Sequence, residues 1–447
     1  MTNVKDLQGH ALTGATQEAA ERYEEAVRAF NIYVGDPLAL ADASIDLAPD
    51  FVMPRILKAA LMALSTEPEA TAAAASSLDE LRSFTMNERE ASHVAALGEI
   101  VKGNWSRAAV RLDFHSARHP RDLLALQTGH LADFFRADSR NLRDRINRAL
   151  PAWSADMPGY STVLGMSSFG LEETGDYVRA EDAGRLALDI DPLDCWAHHA
   201  VSHVMEMQGR AADGVAWMAD REQYWAQPGN VFKVHNWWHR ALFHVDLGER
   251  DIALEIYDAN IRAPENNVAL ELVDAAAMLW RLELSGIDVG DRWTDVAERW
   301  DRHADGRCYA FNDWHGAMAK LGVGRIAEVE QLAASWRKLE AVSENDRWSQ
   351  TIGLALVEGF LAWKTGDYAT AVDRLHGVRH IANAFGGSHA QRDIIDWTLT
   401  DAANRSGDCD IAMAFARERV AVRPDGAINN GLLARALKLG GELEAAA

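Results

Sequence analysis

The stretch GDYVRAEDAGRLALDIDP, residues 175–192, decides the fold. A glycine able to take positive φ ends one helix, and an alanine five positions on lets two helices cross closely. A proline at +17 stops the second helix. The frame returns in GNWSRAAVRLDFHSARHP from Gly103 and in GDCDIAMAFARERVAVRP from Gly407. Ala108, Ala180 and Ala412 hold the +5 position, and Pro120, Pro192 and Pro424 the +17 position. Its opening recurs as GERDIA at Gly248 and GDYATA at Gly366, with Ala253 and Ala371 in register.

Working outward, the glycine spacings are 34 residues (Gly175 to Gly209), 39 (Gly209 to Gly248) and 41 (Gly366 to Gly407), and Gly103 to Gly175 equals two units of 36. Strand signals are nearly absent, whereas Ala, Leu, Glu and Arg dominate in apolar i, i+3, i+4 patterns. The chain is expected to be all-α, a tetratricopeptide-like helical-hairpin solenoid wound as a right-handed superhelix. Weaker units fall at Gly322 or Gly324 and near Asp138. Residues 1–85 read as an N-terminal helical region packed on the array of residues 86–447, the whole forming one continuous domain. Thr85-Met-Asn-Glu88 reads as the capping box that opens the regular region.

The 447 residues carry a net charge of −22, which argues against a nucleic-acid binder with its basic footprint and disfavours an anionic membrane surface or a polyanionic substrate. Cys195, Cys308 and Cys409 lie about a hundred residues apart, with no CxxC spacing, so a reduced compartment is expected. The opening MTNVKDLQGHALTG carries charges where a secretory signal needs an apolar core, and no run approaches a membrane span. A cytoplasmic location is expected. Tryptophan and histidine are the unusual residues: of 15 Trp and 16 His, nine Trp and eight His fall between residues 196 and 315.

In a hairpin array the first helix of each unit lines the inner surface. The inner helix near 193–208 places His199, His203 and Glu206 on one face, and the next, near 231–247, does the same for His235, Trp238 and His239. The third, near 268–285, carries Asp274 and Arg281. In the fourth, near 310–321, Asn312 or Asp313 can act as N-cap and leave His315 in the first turn. Further on, Ser388 and Gln391 form a capping box, with Arg392 placed to meet a ligand carboxylate. Each feature has a plainer reading. A single His on an apolar face, such as His244 or His130, is ordinarily a satisfied core residue. Asp274 can salt-bridge Arg281, and Trp at hairpin junctions are normally wedges. The outlying His10, His93 and His376 read as incidental.

Neutral imidazoles beside carboxylates suit general acid–base work near pH 7, and Trp237, Trp238 and Trp314 would wall off water. There is no GxSxG or other nucleophile motif. A divalent metal drawn from His199, His203, Glu206, His235, His239 and Asp313 is chemically possible, but no cofactor or metal ligand is assigned.

The same residues carry a resemblance. WAHHAVSHVMEMQGR, HNWWHRALFHVDLGE, LVDAAAMLWRLELSGIDVGDRW, FNDWHGAMAKLG and GGSHAQRD resemble the tetratricopeptide repeat protein 38 family nearly end to end. That resemblance implies a helical-repeat fold and names no reaction. Within its motifs, His198 and His244 are departures. The functional expectation is therefore an inner groove that binds a small-molecule or peptide ligand, with acid–base or hydrolytic catalysis within its chemical reach. His203, His239, Asp313 and His315 are the candidate catalytic groups. His199, Glu206, His235, Asn236, Trp238, Asp274, Arg281, Asn312 and Arg392 are the candidate binding groups. No nucleic acid or membrane is expected, and a homo-oligomer is compatible with the sequence. The rival reading is a non-catalytic scaffold docking a peptide or protein partner, and a third makes the polar network purely structural.

Overall fold

The structure, a computed structural model, describes residues 4–262 and 268–446. It forms two compact units: residues up to Val204 with Asp220–Asn236, and Met205–Ala219 with Trp237–Ala447. Among the described residues there is no strand, only the isolated bridges Lys5–Ala11 and Val34–Asn230.

The first unit contains α1 (Gln17–Ile32), α2 (Pro37–Leu47), α3 (Val52–Leu64), α4 (Pro68–Leu81), α5 (Glu88–Ile100), α6 (Trp105–Arg118), α7 (Leu123–Phe134), α8 (Ser139–Ala149), α9 (Tyr160–Glu172) and α10 (Tyr177–Ile190). The unit boundaries fall within or beside α11 (Cys195–Met207), α12 (Ala211–Asp220), α13 (Glu222–Trp225) and α14 (Lys233–Asp246). The second unit continues with α15 (Arg250–Ile256), α16 (Ala269–Leu284), α17 (Arg292–Trp300), α18 (Ala310–Gly322), α19 (Ile326–Arg337) and α20 (Glu344–Trp348). It closes with α21 (Leu354–Thr365), α22 (Tyr368–Val378), α23 (His389–Ser406), α24 (Cys409–Val422) and α25 (Ala427–Ala446). Consecutive helices pack as hairpins, among them α5–α6, α9–α10, α16–α17, α21–α22 and α23–α24. The protein is all-α and tetratricopeptide-like.

The repeat frame acts as its chemistry requires. Gly103, Gly175, Gly209, Gly248, Gly366 and Gly407 all have positive φ, between 69° and 85°. The alanines at +5 (Ala108, Ala180, Ala253, Ala371 and Ala412) are fully buried. Helices α6, α10 and α24 end two residues before Pro120, Pro192 and Pro424, because the residue preceding each proline is driven out of the helical region. Of the two candidates for the weaker unit, Gly324 makes the turn at φ 76°. Gly322 stays helical and leaves room for the Trp293 ring, which a Cβ there would strike. Near Asp138 the turn is made by Ala137 at φ 43°, a strained choice for a residue with a side chain. Gly286, at φ 84°, marks a further hairpin between α16 and α17.

The capping box lies two residues beyond the expected place. Asn87 Oδ1 accepts from Glu90 N at 3.0 Å, and Glu90 Oε2 accepts from Asn87 N at 2.9 Å. Glu90 Oε1 also accepts from Thr13 N at 2.9 Å, a tie that a box at Thr85 would not supply. The box at Ser388 and Gln391 forms as read. The wedge reading of tryptophan holds at Trp293, and at Trp280, which is fully buried between Phe360 and Trp363 (4.8 and 4.9 Å).

If the +5 alanines set the helix crossing, Ala180→Leu overpacks α10 against its neighbours and costs about 1–3 kcal/mol in urea unfolding. Val178→Leu, on the exposed face of the same helix, should change stability by less than about 0.5 kcal/mol. Equal costs at both positions would show that the crossing is not tight.

Candidate functional site

In the first unit, α11 delivers His199 and His203 one turn apart, and α14 delivers His235. The His199 and His203 rings meet edge-on at 4.4 Å, and His199 and His235 Nε2 atoms lie 3.1 Å apart. His203 Nδ1 faces Glu172 Oε2 at 3.5 Å across from α9. Phe169 stacks on His199 at 5.2 Å and meets His203 edge-on at 5.2 Å, so an aromatic shell fixes the ring planes. His199, His203 and Glu172 are buried, while His235 is half-buried. Asn236 is also buried, and neither its Nδ2 nor its Oδ1 has a hydrogen-bond partner.

In the second unit, Glu206 and His239 meet, with His239 Nδ1 donating to Glu206 Oε2 at 3.0 Å. Arg423 approaches Glu206 Oε1 at 3.7 Å. Arg281 lies with its guanidinium over the Trp238 ring at 5.1 Å and donates to the carbonyls of Ala277, Ala390 and Gln391 at 3.1, 2.7 and 3.3 Å. It thereby pins the start of α23 to α16, and burial pushes its pKa down to about 10. Asp393 pairs with Arg419 through two contacts of 3.1 Å. Burial alone would raise the Asp393 carboxyl, but Arg419 and Arg423 overcome it and hold the group well below the carboxylate range.

These groups line two adjoining spaces. A narrow one of about 20 Å³ is bordered by Glu206, Arg281, Asp393, Arg419, Arg423 and Trp397. A wider cavity of about 340 Å³ shares Asp393, Arg419, Arg423 and Asn429 with it and adds Arg379, Arg392 and His389. Four arginines face three carboxylates on its walls (Asp393, Asp396 and Glu418), with Glu206 and Asp246 bordering the narrow space alongside.

Asp313 and His315 do not join Glu206 at these spaces. The N-cap of α18 is Tyr309, so Asn312 and Asp313 lie inside the first turn and His315 in the second. The capping role falls instead to Asn345, whose Oδ1 accepts from Ala310 N at 2.9 Å. Asp313 Oδ1 accepts from Gly306 N at 2.7 Å, and Oδ2 is buried without a partner. Burial pushes its pKa well above the carboxylate range, which the Gly306 N–H only partly offsets. His315 Nδ1 donates to Phe311 O at 2.8 Å, and burial lowers its pKa to about 3. Trp238, Trp314, Asp274 and Asn312 are buried in the core, and Trp397 is the tryptophan at the narrow space.

Two sets escaped the sequence reading. His93 belongs to a buried hub in the first unit, not to the incidental histidines. Asp122 Oδ2 receives Arg89 at 2.6 Å, His93 Nε2 at 2.8 Å and His115 Nε2 at 3.0 Å. Arg89 and His93 share α5 at i, i+4, whereas His115 comes from α6 and Asp122 from the N-cap of α7, so only the Arg89–His93 spacing is local. Arg419 and Arg423, by contrast, stand at i, i+4 in FARERVAVRP, a visible signal. His244 is the satisfied core residue expected, bonded to Glu249 at 2.7 Å. His130 is not: both ring nitrogens are buried without a partner, and its pKa falls to about 3 through burial and then Arg145.

No family model matches the chain. Among solved structures it is similar to the APC/C hetero-tetramer Cut9–Hcn1 (13% identity, TM-score 0.41, covering 94% of this chain and 83% of that one). It is also similar to a human IFIT1 dimer with m7Gppp-AAAA (11%, TM-score 0.42, 94% and 95%) and to Naa15/Naa10 bound to HypK-THB (12%, TM-score 0.25, 96% and 62%). The fold assignment rests on the hairpins themselves.

The buried neutral state of His315 has a pH signature. Its folded pKa of about 3 lies below the unfolded value of about 6.5, so the unfolded chain takes up the proton first. Stability from this residue is complete above pH 6.5 and is lost as pH falls towards 3. Between pH 6.5 and 4, wild type should lose up to about 1.4 kcal/mol per pH unit more than His315→Gln in urea unfolding. A gap that stays constant with pH would contradict the neutral, buried assignment.

Proposed function

We propose that this chain is a helical-repeat protein of the tetratricopeptide repeat protein 38 type whose second unit binds a small organic acid in the arginine-lined cavity. The single observation that carries this reading is the 340 Å³ cavity with Arg379, Arg392, Arg419 and Arg423 on its walls. The volume lies within the range of about 300–1,000 Å³ usual for small-molecule sites. Guanidinium groups match a carboxylate in planar, two-point fashion. Arg392 is half-buried at the start of α23, held by the Gly387 carbonyl, and lines the cavity. Arg419 and Arg379 are already partnered by Asp393, and by Asp396 and Glu418, and hold the walls in shape.

Burial favours a small ligand over a docked peptide. His199, His203, His239, Asp313 and His315 are each at most 1% exposed, so a protein partner cannot touch them. Of the candidate catalytic groups in the second unit, His239 is the one joined to a cavity residue. In the proposed reading it orients Glu206, whose carboxylate borders the narrow space beside the cavity.

The test is a thermal-shift panel of mono-, di- and tricarboxylates with inorganic phosphate and chloride as comparators. At least one carboxylate should raise the melting temperature of wild type, and Arg392→Ala should bind it at least about 10-fold more weakly, by one or more lost charge-assisted hydrogen bonds. Circular dichroism should show the fold unchanged. A panel with no stabilising carboxylate, or equal stabilisation of Arg392→Ala, would overturn the proposal.

A further inference from the structure

The first unit holds a second constellation that the anionic cavity does not use. We propose that His199, His203 and His235 form a zinc site, with Glu172 as the carboxylate that orients His203. Each of the three imidazoles offers a ring nitrogen, and these nitrogens lie within 4.8 Å of one another. Two nitrogens bound at 2.0–2.1 Å on a tetrahedral ion stand about 3.3 Å apart. The 3.1 Å between His199 and His235 Nε2 is within a few tenths of that value, so an ion enters with a small opening of the pair.

The surroundings are those a metal-bound histidine requires. A ligating imidazole commonly donates its other N–H to a carboxylate, and Glu172 stands 3.5 Å from His203 Nδ1. A divalent ion on the far nitrogen makes that N–H a stronger donor and draws the contact shorter. The ion also supplies positive charge next to a carboxylate that is 1% exposed. Phe169 and Trp196 pack on His199 at 5.2 and 4.9 Å and keep the rings in place and the site dry. His235 is half-buried and provides the route in. Donor type selects the metal: an all-imidazole set suits zinc and excludes magnesium or calcium, which need oxygen ligands.

The hub at Asp122 fails the same examination. Its shared ligand atom, Asp122 Oδ2, already holds the Arg89 guanidinium at 2.6 Å, so a fixed positive charge occupies the place of a cation.

The test strips the full chain with EDTA and titrates it with Zn²⁺, and with Co²⁺ as a spectroscopic probe. Wild type should bind about one equivalent that survives gel filtration, and Co²⁺ should give visible bands of nitrogen ligation. His235→Ala should lose at least about 10-fold in affinity. Glu172→Gln should bind the same stoichiometry about 10–100-fold more weakly. His93→Ala, at the Asp122 hub, should leave zinc binding unchanged. Less than about a tenth of an equivalent bound by wild type would overturn the site. So would a full equivalent held as tightly by both His235→Ala and Glu172→Gln. If His235→Ala does not fold, Glu172→Gln decides alone. Zinc binding is independent of carboxylate binding, so either proposal can fail without the other.

Discussion

The close helix crossing at the buried alanine five residues after each turn glycine is the constraint on which the rest depends. A larger residue at Ala108, Ala180, Ala253, Ala371 or Ala412 would push the two helices of a hairpin apart. With the crossing tight, polar groups on the inner helices such as His203, His239, Asp313 and His315 are removed from water. Desolvation then sorts the groups by charge. His315 is kept neutral, with a pKa of about 3, and Asp313 is pushed towards its protonated form. Only groups with partners close by, such as Asp393 between Arg419 and Arg423, remain charged inside. The packing rule of the repeat thus sets the chemistry available in its interior.

That sorting separates two kinds of polar cluster. Around Asp122, charge is balanced within the cluster: one carboxylate oxygen collects Arg89, His93 and His115. Such a hub holds helices together. In the second unit the charged groups instead border open space, with four arginines and three carboxylates on the walls of a cavity of about 340 Å³. An arginine-rich cavity of this kind is what the proposed reading assigns to an anion. Arg281 contributes from behind. Stacked on Trp238 and bonded to the Ala390 and Gln391 carbonyls, it fixes the start of α23, from which Arg392 and Asp393 project.

Much of the fold was legible because its determinants are local. The glycine, alanine and proline of each repeat act within one hairpin, and their spacing survives translation into structure. The errors came where two local signals competed or where the partner was distant. Thr85 and Asn87 are both good caps, and the choice fell to Asn87 because Glu90 also ties Thr13. Gly322 and Gly324 are both glycines, and a tryptophan packed on the first leaves the turn to the second. Asn312 lost the cap of α18 to Asn345, more than thirty residues away in sequence, which no periodicity reveals. The pairs on one helix face, His199 with His203 and Glu206 with its helix neighbours, could be read directly. Their partners Glu172 and Arg423 come from other hairpins, and only packing brings them near.

The claim that the second unit is built to hold a small acid is tested most directly by asking the protein what it retains. Wild type and Arg392→Ala would each be incubated with a cell metabolite extract, recovered by gel filtration, denatured, and the released small molecules compared by mass spectrometry. The account predicts at least one carboxylate-bearing molecule enriched on wild type and absent from Arg392→Ala. No enriched carboxylate, or equal retention by the two proteins, would contradict it.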